Sequence, residues 1–284
     1  MTARHDGFRA ELPVVLSIAG SDCGGGAGIQ ADIKTCAEFG VYCATAITAV
    51  TAQNPCGVRG VGYVGGDMLR KQLDSIIASV TPDAVKIGMI PCAEAVGIIA
   101  DFISGNGLRN VVIDTVVRAT SGGSLTGDSR LTADASIQRL FPAATLITPN
   151  IPELFYLTEE PEEPEQACCA EAALSLMRKS GANAVLVKGG HSSLPECQDI
   201  LFTSDGSSRT FTAPRIETDH THGTGCTLSS AIACGLAAGL TLEELIARAK
   251  AFITEAIAWG RRFRVFPHNG PLCHFYRNIQ EPTK

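Results

Sequence analysis

The most informative residue by type and setting is Cys226. It follows two glycines in THGTGCTLSSAIACG, residues 221–235, where Gly223 and Gly225 lead into small residues that read as a helix beginning near Cys226. The first turn of a helix leaves N–H groups unpaired at the positive end of its dipole, so this start is an anion site. A phosphoryl group in flight spreads negative charge over its oxygens, and donors fixed in advance stabilise it. The same setting is expected to lower a thiol pKa from about 8.5 to roughly 3.5–7.5, which would make Cys226 a base or a nucleophile. Glycine-assisted helix packing would leave the same pattern without a ligand. His220 and His222 lie nearby, but no second ligand pair has suitable spacing for a metal site.

A second glycine-rich segment, AGSDCGGGAGIQAD at 19–32, reads as a strand end, a loop and a helix beginning near Ala27. Glycines there let a ligand approach the backbone, or simply make a tight turn. The dinucleotide fingerprint fails, because GxGxxG begun at Gly24 needs glycine where Ile29 stands. A Walker A loop fails as well, since no Gly-Lys pair occurs.

The third cluster joins TPNIPE at 148–153 to VKGGH at 187–191, each after a strand end. At the carboxyl edge of a parallel sheet such residues converge on a ligand crevice. Glu153 can orient magnesium through water and Lys188 can neutralise phosphate; capping by Asn150 and a surface lysine are the plainer alternatives.

The elements that must carry these loops follow a βαβ rhythm. Short β-branched runs at 14–19, 44–50, 84–89, 110–117, 145–148 and 184–188 read as buried strands of a mainly parallel sheet. Between two of them Leu69, Leu73, Ile76, Ile77 and Val80 share one helix face. Thr241 and Glu244 form a capping box for a helix with Leu242, Leu245, Ile246, Ala249, Ile253 and Ile257 on one side. ILFT at 200–203 and RTFTA at 209–213, around Asp205 and Gly206, predict an edge hairpin. The acidic EEPEEPE at 159–165 reads as a surface loop, and Ser192–Gln198 as a lid candidate. With no repeat and no linker, one domain over 1–284 is expected, residues 1–12 forming a flexible N-terminal extension.

Composition narrows the function classes. With 23 Lys+Arg against 29 Asp+Glu the net charge is −6, which argues against nucleic acid as a partner. Eleven cysteines, with none spaced as CxxC, fit reduced thiols in a cytoplasmic protein. The N-terminus, with Arg4, Asp6, Arg9 and Glu11, does not read as a signal peptide. The uncharged stretch Thr221–Leu242 is too rich in Thr, Ser, Gly and Ala to be expected to span a membrane.

In order and spacing these segments, together with TAITAVTAQN at 45–54, KIGM at 86–89 and VVIDTV at 111–116, resemble the hydroxymethylpyrimidine and phosphomethylpyrimidine kinases of thiamine biosynthesis. That family is a branch of the ribokinase-like superfamily, and the resemblance runs from about Val14 to Phe275. It implies an α/β, ribokinase-like fold: a mainly parallel central sheet with helices on both faces, commonly as a homodimer. It implies ATP and Mg2+ as cofactors and an aminopyrimidine alcohol and its monophosphate as substrates. Cys226 takes the position where sugar kinases of the superfamily carry an aspartate base, with Gly223, Thr224 and Gly225 as the anion hole. The substrate side is carried over to Gln53, Asp22, Ala27, Gly28, Met89 and Val116. Lys188 and Asn150 match the phosphate and ATP side, and Asp114 and Glu153 the metal side, directly or through water. Arg118 departs from the apolar residue usual in relatives. A pyridoxal kinase is the nearest alternative, and a non-catalytic nucleotide sensor is the alternative from another class.

Overall fold

The computed structural model describes residues 12–54, 57–116, 137–160, 169–190, 196–263, 265–266 and 268–279. Residues 1–11, most of the acidic stretch and Arg118 lie outside them. The chain runs β1 (Val14–Asp22), α1 (Gly28–Glu38), β2 (Tyr42–Asn54), β3 (Gly57–Tyr63), α2 (Gly66–Ile77), β4 (Ala84–Ile87), α3 (Ala93–Gly105) and β5 (Val111–Ile113). It continues through β6 (Ala144–Ile147), α4 (Ile151–Thr158), α5 (Cys169–Ser180), β7 (Ala184–Lys188), β8 (Glu196–Thr203), β9 (Ser208–Pro214), α6 (Thr224–Ala237) and α7 (Leu242–Gly260).

The nine strands of the described residues form one sheet in the order β3-β2-β1-β4-β5-β6-β7-β8-β9. Every pairing from β2 to β7 is parallel, and β3, β8 and β9 extend the two edges antiparallel. This is the expected ribokinase-like α/β arrangement. The predicted hairpin is β8–β9, closed by Gly206 at φ +85 and by the Asp205 carboxylate, which accepts from Ser207 N at 3.0 Å. β8 begins earlier than expected, at Glu196, so the end of the lid candidate, Glu196–Gln198, is paired strand. β5 is shorter than its apolar run: Asp114 already leaves the sheet.

Alternation along each strand sorts the core into two layers. Leu16 and Ile18, Val85 and Ile87, Val111 and Ile113, and Val185 and Val187 face one layer, which α3, α4 and α5 also line. Val15, Val112, Leu146 and Leu186 face the other, against α6 and α7. The expected α2 face supplies Leu69 and Leu73 to the first layer, although the helix ends at Ile77, before Val80. The capping box of Thr241 and Glu244 opens α7 as its spacing predicts.

The same alternation turns Ser17 and Lys86, which are register partners on β1 and β4, toward α1 and α6. There the fully buried Lys86 ammonium meets both oxygens of Asp32 on α1, at 3.0 and 2.9 Å. Ser17 Oγ and Ser230 Oγ each donate to the same carboxylate at 2.6 Å. A Cβ on Gly88 would come within 2.8 Å of Lys86 Nζ, so the glycine of KIGM leaves the ammonium its room. One carboxylate thus ties β1, β4, α1 and α6. Because breaking such a pair strands a buried charge, Lys86→Met should cost about 3–5 kcal/mol. The double variant Asp32→Asn/Lys86→Met, which loses both charges, should cost less. Urea denaturation of the two variants measures the difference.

Candidate active site

The parallel strands deliver their carboxyl ends to one edge, and the residues that sequence spacing singles out come together there. A cleft of about 1260 Å³ is lined by Asp22, Ala27, Gly28, Gln53, Met89, Asp114, Val116, Asn150, Glu153, Lys188, Gly223, Thr224, Gly225 and Cys226, among others.

At one end the β1–α1 loop is built around Asp22, which is 2% exposed. Its carboxylate accepts from Gly24 N at 2.8 Å, Gly26 N at 3.0 Å and Ala27 N at 2.9 Å, and lies 2.9 Å from His222 Nε2. The Gln53 side chain also bonds to it. Burial alone would raise its pKa; the bonds from His222, Gln53, Ala27 and Gly24 outweigh burial and hold it at about 2. Although Asp22 lines the cleft, its oxygens are taken up by the protein's own loop and His222, so it organises that loop. Gln53 is the last residue but one of β2, just beyond a register shift at Ala52, and Met89 packs with Ala49, Val58, Val61 and Val116 into an apolar wall. Ala27 is the N-cap of α1, and Gly28 adopts φ +58 with no room for a Cβ, which would stand 2.3 Å from Gly20 O.

Across the cleft α6 begins at Thr224, two residues before the expected start. Gly223 is its N-cap at φ +89, with no side chain capping the turn. A Cβ on Gly223 would come within 1.8 Å of Gly26 O, so the two glycine loops touch backbone to backbone. Behind them the segment Asn269–His274 braces the turn: His222 N donates to Gly270 O at 3.2 Å, and His274 Nε2 lies 2.8 Å from Thr227 Oγ1. No motif announces this brace, because it pairs residues far apart in the chain.

The expected drop in the Cys226 pKa is not found. Burial pushes the thiol up to about 11; Lys86 opposes burial, Asp32 and Asp114 reinforce it, and the Gly28 N–H facing the sulfur opposes it. Desolvation of the thiolate therefore outweighs the helix start, and Cys226 rests protonated.

Beside the first turn of α6 lies a charged triad. Lys188 Nζ is 2.8 Å from Asp114 Oδ1 and 3.9 Å from Glu153 Oε2, and a Cβ on Gly225 would lie 3.4 Å from Asp114 and 3.5 Å from Lys188. Lys188 is thus no surface lysine. Burial opposes its charge, but Asp114 and Glu153 raise its pKa. The Asp114 pKa is lowered because Lys188 and Lys86 outweigh its burial, whereas burial holds that of Glu153 above the usual carboxylate range. Asn150 and Glu153 form a capping box on α4: Asn150 Oδ1 accepts from Glu153 N at 2.8 Å and Glu153 Oε2 accepts from Asn150 N at 2.9 Å. The plainer reading of Asn150 as a cap therefore holds, and Glu153 combines a capping oxygen with a place beside Lys188.

Further along the cleft, Lys250 Nζ bonds to Asp199 Oδ2 at 2.7 Å, and Asp199 Oδ1 accepts from Gly189 N at 3.0 Å, bracing the turn after Lys188. Sequence reasoning missed this pair; a lysine among the buried residues of an amphipathic helix was its available signal.

Because the folded pKa of Asp22 lies below its ordinary value of 3.8, its contribution to stability is present above that pH and is lost as pH falls toward 2. Wild type should lose about 2 kcal/mol more than Asp22→Asn over that interval, measured by urea midpoints from pH 5 to 2.5.

The profile of the phosphomethylpyrimidine kinase family matches residues 22–273. The hydroxymethylpyrimidine/phosphomethylpyrimidine kinase of Rhizobium meliloti (strain 1021) is 45% identical over 264 residues, covering 93% of this chain and 97% of that protein. The enzyme of the same name from Escherichia coli (strain K12) is 41% identical over 261 residues, covering 92% and 97%. Among solved structures, the ADP complex of Bacillus subtilis pyridoxal kinase superposes with a TM-score of 0.84 at 34% identity, covering 95% of this chain and 100% of that one. Phosphomethylpyrimidine kinase from Clostridium difficile 630 superposes with a TM-score of 0.73 at 34% identity, covering 86% and 99%. The match spans both glycine loops, the charged triad and the start of α6, and the chain belongs to the phosphomethylpyrimidine kinase family.

Proposed function

We propose that this kinase transfers the γ-phosphoryl group of ATP to the hydroxymethyl oxygen of 4-amino-5-hydroxymethyl-2-methylpyrimidine, and then a second phosphoryl group to the monophosphate, in thiamine biosynthesis. The observation that carries the reading is the meeting, in one cleft, of an uncapped α6 start and Cys226 with the Lys188–Asp114 pair on one side and the Gln53, Met89 and Val116 wall on the other. Of the anion-hole residues Gly223, Thr224 and Gly225, Thr224 N donates to Thr221 O at 3.2 Å, which leaves the N–H groups of the two glycines for the oxygens of the phosphoryl group in flight, and Lys188 adds a positive charge. As the oxygen–phosphorus bond to ADP breaks and the bond to the hydroxymethyl oxygen forms, the hydroxyl proton passes to Cys226 as its thiolate. That form is a minor species, stabilised against burial by the Gly28 N–H and Lys86.

Among the described residues no three His, Cys, Asp or Glu side chains gather as a metal cage. Asp114 and Glu153, flanking Lys188, suit an ion held mainly by phosphate and water, as Mg2+ usually is. They would hold Mg2+ there, and the ion would neutralise phosphate charge. We read the chain as one cytoplasmic kinase domain acting as a homodimer; unpaired thiols support the compartment, with all nine described cysteines free.

A second reading, pyridoxal kinase, is favoured by the solved neighbours, which include the Staphylococcus aureus pyridoxal kinase with AMP-PCP and pyridoxal at 29% identity and a TM-score of 0.83. Steady-state turnover of both alcohols with ATP separates the readings. A clear preference for pyridoxal would overturn the first, and ADP release with either alcohol excludes a non-catalytic sensor.

Cys226→Ala should lower kcat by about 10²–10⁴ while leaving pyrimidine binding within a few-fold. Near-wild-type turnover in the folded variant would remove Cys226 from the chemistry.

Gln53 tests the substrate side. One of its N–H groups is engaged by Asp22, which leaves the amide oxygen and a second N–H for the amino group and adjacent ring nitrogen of an aminopyrimidine. Gln53→Leu should cost about 10–100-fold in kcat/KM for each unpaired ligand group. Pyridoxal lacks that edge and should lose less. Equal losses for the two alcohols would show that Gln53 does not read the pyrimidine.

A further inference from the structure

Helices α1 and α6 meet at three levels spaced by four residues. At the cleft the Gly28 N–H faces the Cys226 sulfur. One turn further, Ser230 Oγ donates to Asp32 Oδ1 at 2.6 Å. Another turn on, Cys234 Sγ lies 3.5 Å from Cys36 Sγ. Positions 28, 32 and 36 thus meet 226, 230 and 234 along one seam. The middle contact differs from the others because Asp32 is itself held from the sheet, by Lys86 on β4 and Ser17 on β1.

Ser230 is the donor that joins α6 to this anchored carboxylate, and it stands one turn after Cys226. The α6 residues that follow are short, Ala231, Ala233 and Cys234, and such side chains make shallow ridges, which leave the level of one helix along another weakly determined by packing. A buried hydrogen bond to a charged acceptor is strong and directional, and here it fixes that level.

We propose that Ser230, acting through Asp32, is a positioning residue for Cys226. It sets the height of α6 against α1, so that the Gly28 N–H stays on the sulfur and the anion-binding turn keeps its register with the substrate-side loop. The inference rests on Cys226 as the proton acceptor and adds what holds it in place.

Ser17 supplies a matched control. It donates to the same carboxylate at the same 2.6 Å and is equally buried, but from the sheet. Ser230→Ala should lower kcat by about 10–100-fold with both KM values within about 3-fold, since small misplacements of a reacting group have effects of that size. It should also change the rate at which iodoacetamide alkylates Cys226, followed by mass on that peptide. Ser17→Ala should lower the Tm to a similar degree and keep wild-type kcat and alkylation. Equal kcat losses in the two variants, or wild-type kcat in Ser230→Ala, would overturn the proposal. If Ser230→Ala does not fold, Ser230→Cys, which keeps the size and weakens the donor while leaving the Asp32–Lys86 pair intact, carries the test: kcat should fall with KM retained, and wild-type kcat overturns it. Cys226→Ala in the same assay separates the two levels. Turnover retained there counts against the proton-acceptor reading, whereas an impaired Cys226→Ala beside an unaffected Ser230→Ala sinks only the positioning role.

Discussion

The buried pair of Asp32 and Lys86 is the interaction on which the geometry of the cleft depends. A carboxylate and an ammonium removed from water are tolerable only when each remains paired and the spare lone pairs are filled, which here takes two serine hydroxyls at 2.6 Å. The donors come from β1, β4 and α6 and the acceptor from α1, so satisfying the charges fixes four elements with respect to one another. Apolar packing on this face does not have that directionality. It draws α6 against the sheet through Leu228, Ile232 and Leu236, without the single geometry that a buried hydrogen bond to a carboxylate demands.

The two helix starts beside that pair are coupled a second time, at the loops. A Cβ on Gly223 would strike Gly26 O and one on Gly26 would strike the His222 ring, so neither position tolerates a side chain, and the Asp22 carboxylate spans from the Gly26 and Ala27 amides to His222. The same Asp22 bonds to Gln53 on the substrate side. A ligand that shifts Gln53 therefore pulls on a network reaching the anion-binding turn. The charged triad at Lys188 borders the same turn through Gly225, so the Asp22 network and the triad meet at the start of α6.

The likeness to both pyrimidine and pyridoxal kinases has a physical basis in this division. In the proposed reading the glycine loops and the triad handle phosphate, which is common to either reaction. Ring identity is then left to a short wall of side chains, of which Gln53 is the one with a directional pair of hydrogen-bonding groups. Small changes on that wall can redirect the substrate while the scaffold is retained.

The βαβ rhythm, the edge hairpin, the α7 capping box and the two glycine-rich turns were legible from sequence because each depends on local periodicity or on a residue type with few conformational options. The strand β3 was not, as its short GVRGVGY run carries mixed polarity and pairs only because β2 offers an open edge. The ionisation of Cys226 was misread for a related reason. Position at a helix start is local and visible, whereas the burial that pushes the thiol up depends on what α1, β4 and the residues after β5 place around it. Asp32, Lys86, Asp199 and Lys250 look in sequence like ordinary charges on a helix or a strand, and only packing reveals them as buried pairs. By itself the sequence determined the parallel strands of the sheet, the glycine-rich turns at their ends and the side chains whose types suit phosphoryl transfer. Tertiary structure decided which charges are desolvated, which carboxylates remain available to a ligand, and how one helix start is held against the other, because these depend on dielectric and distance between residues far apart in the chain.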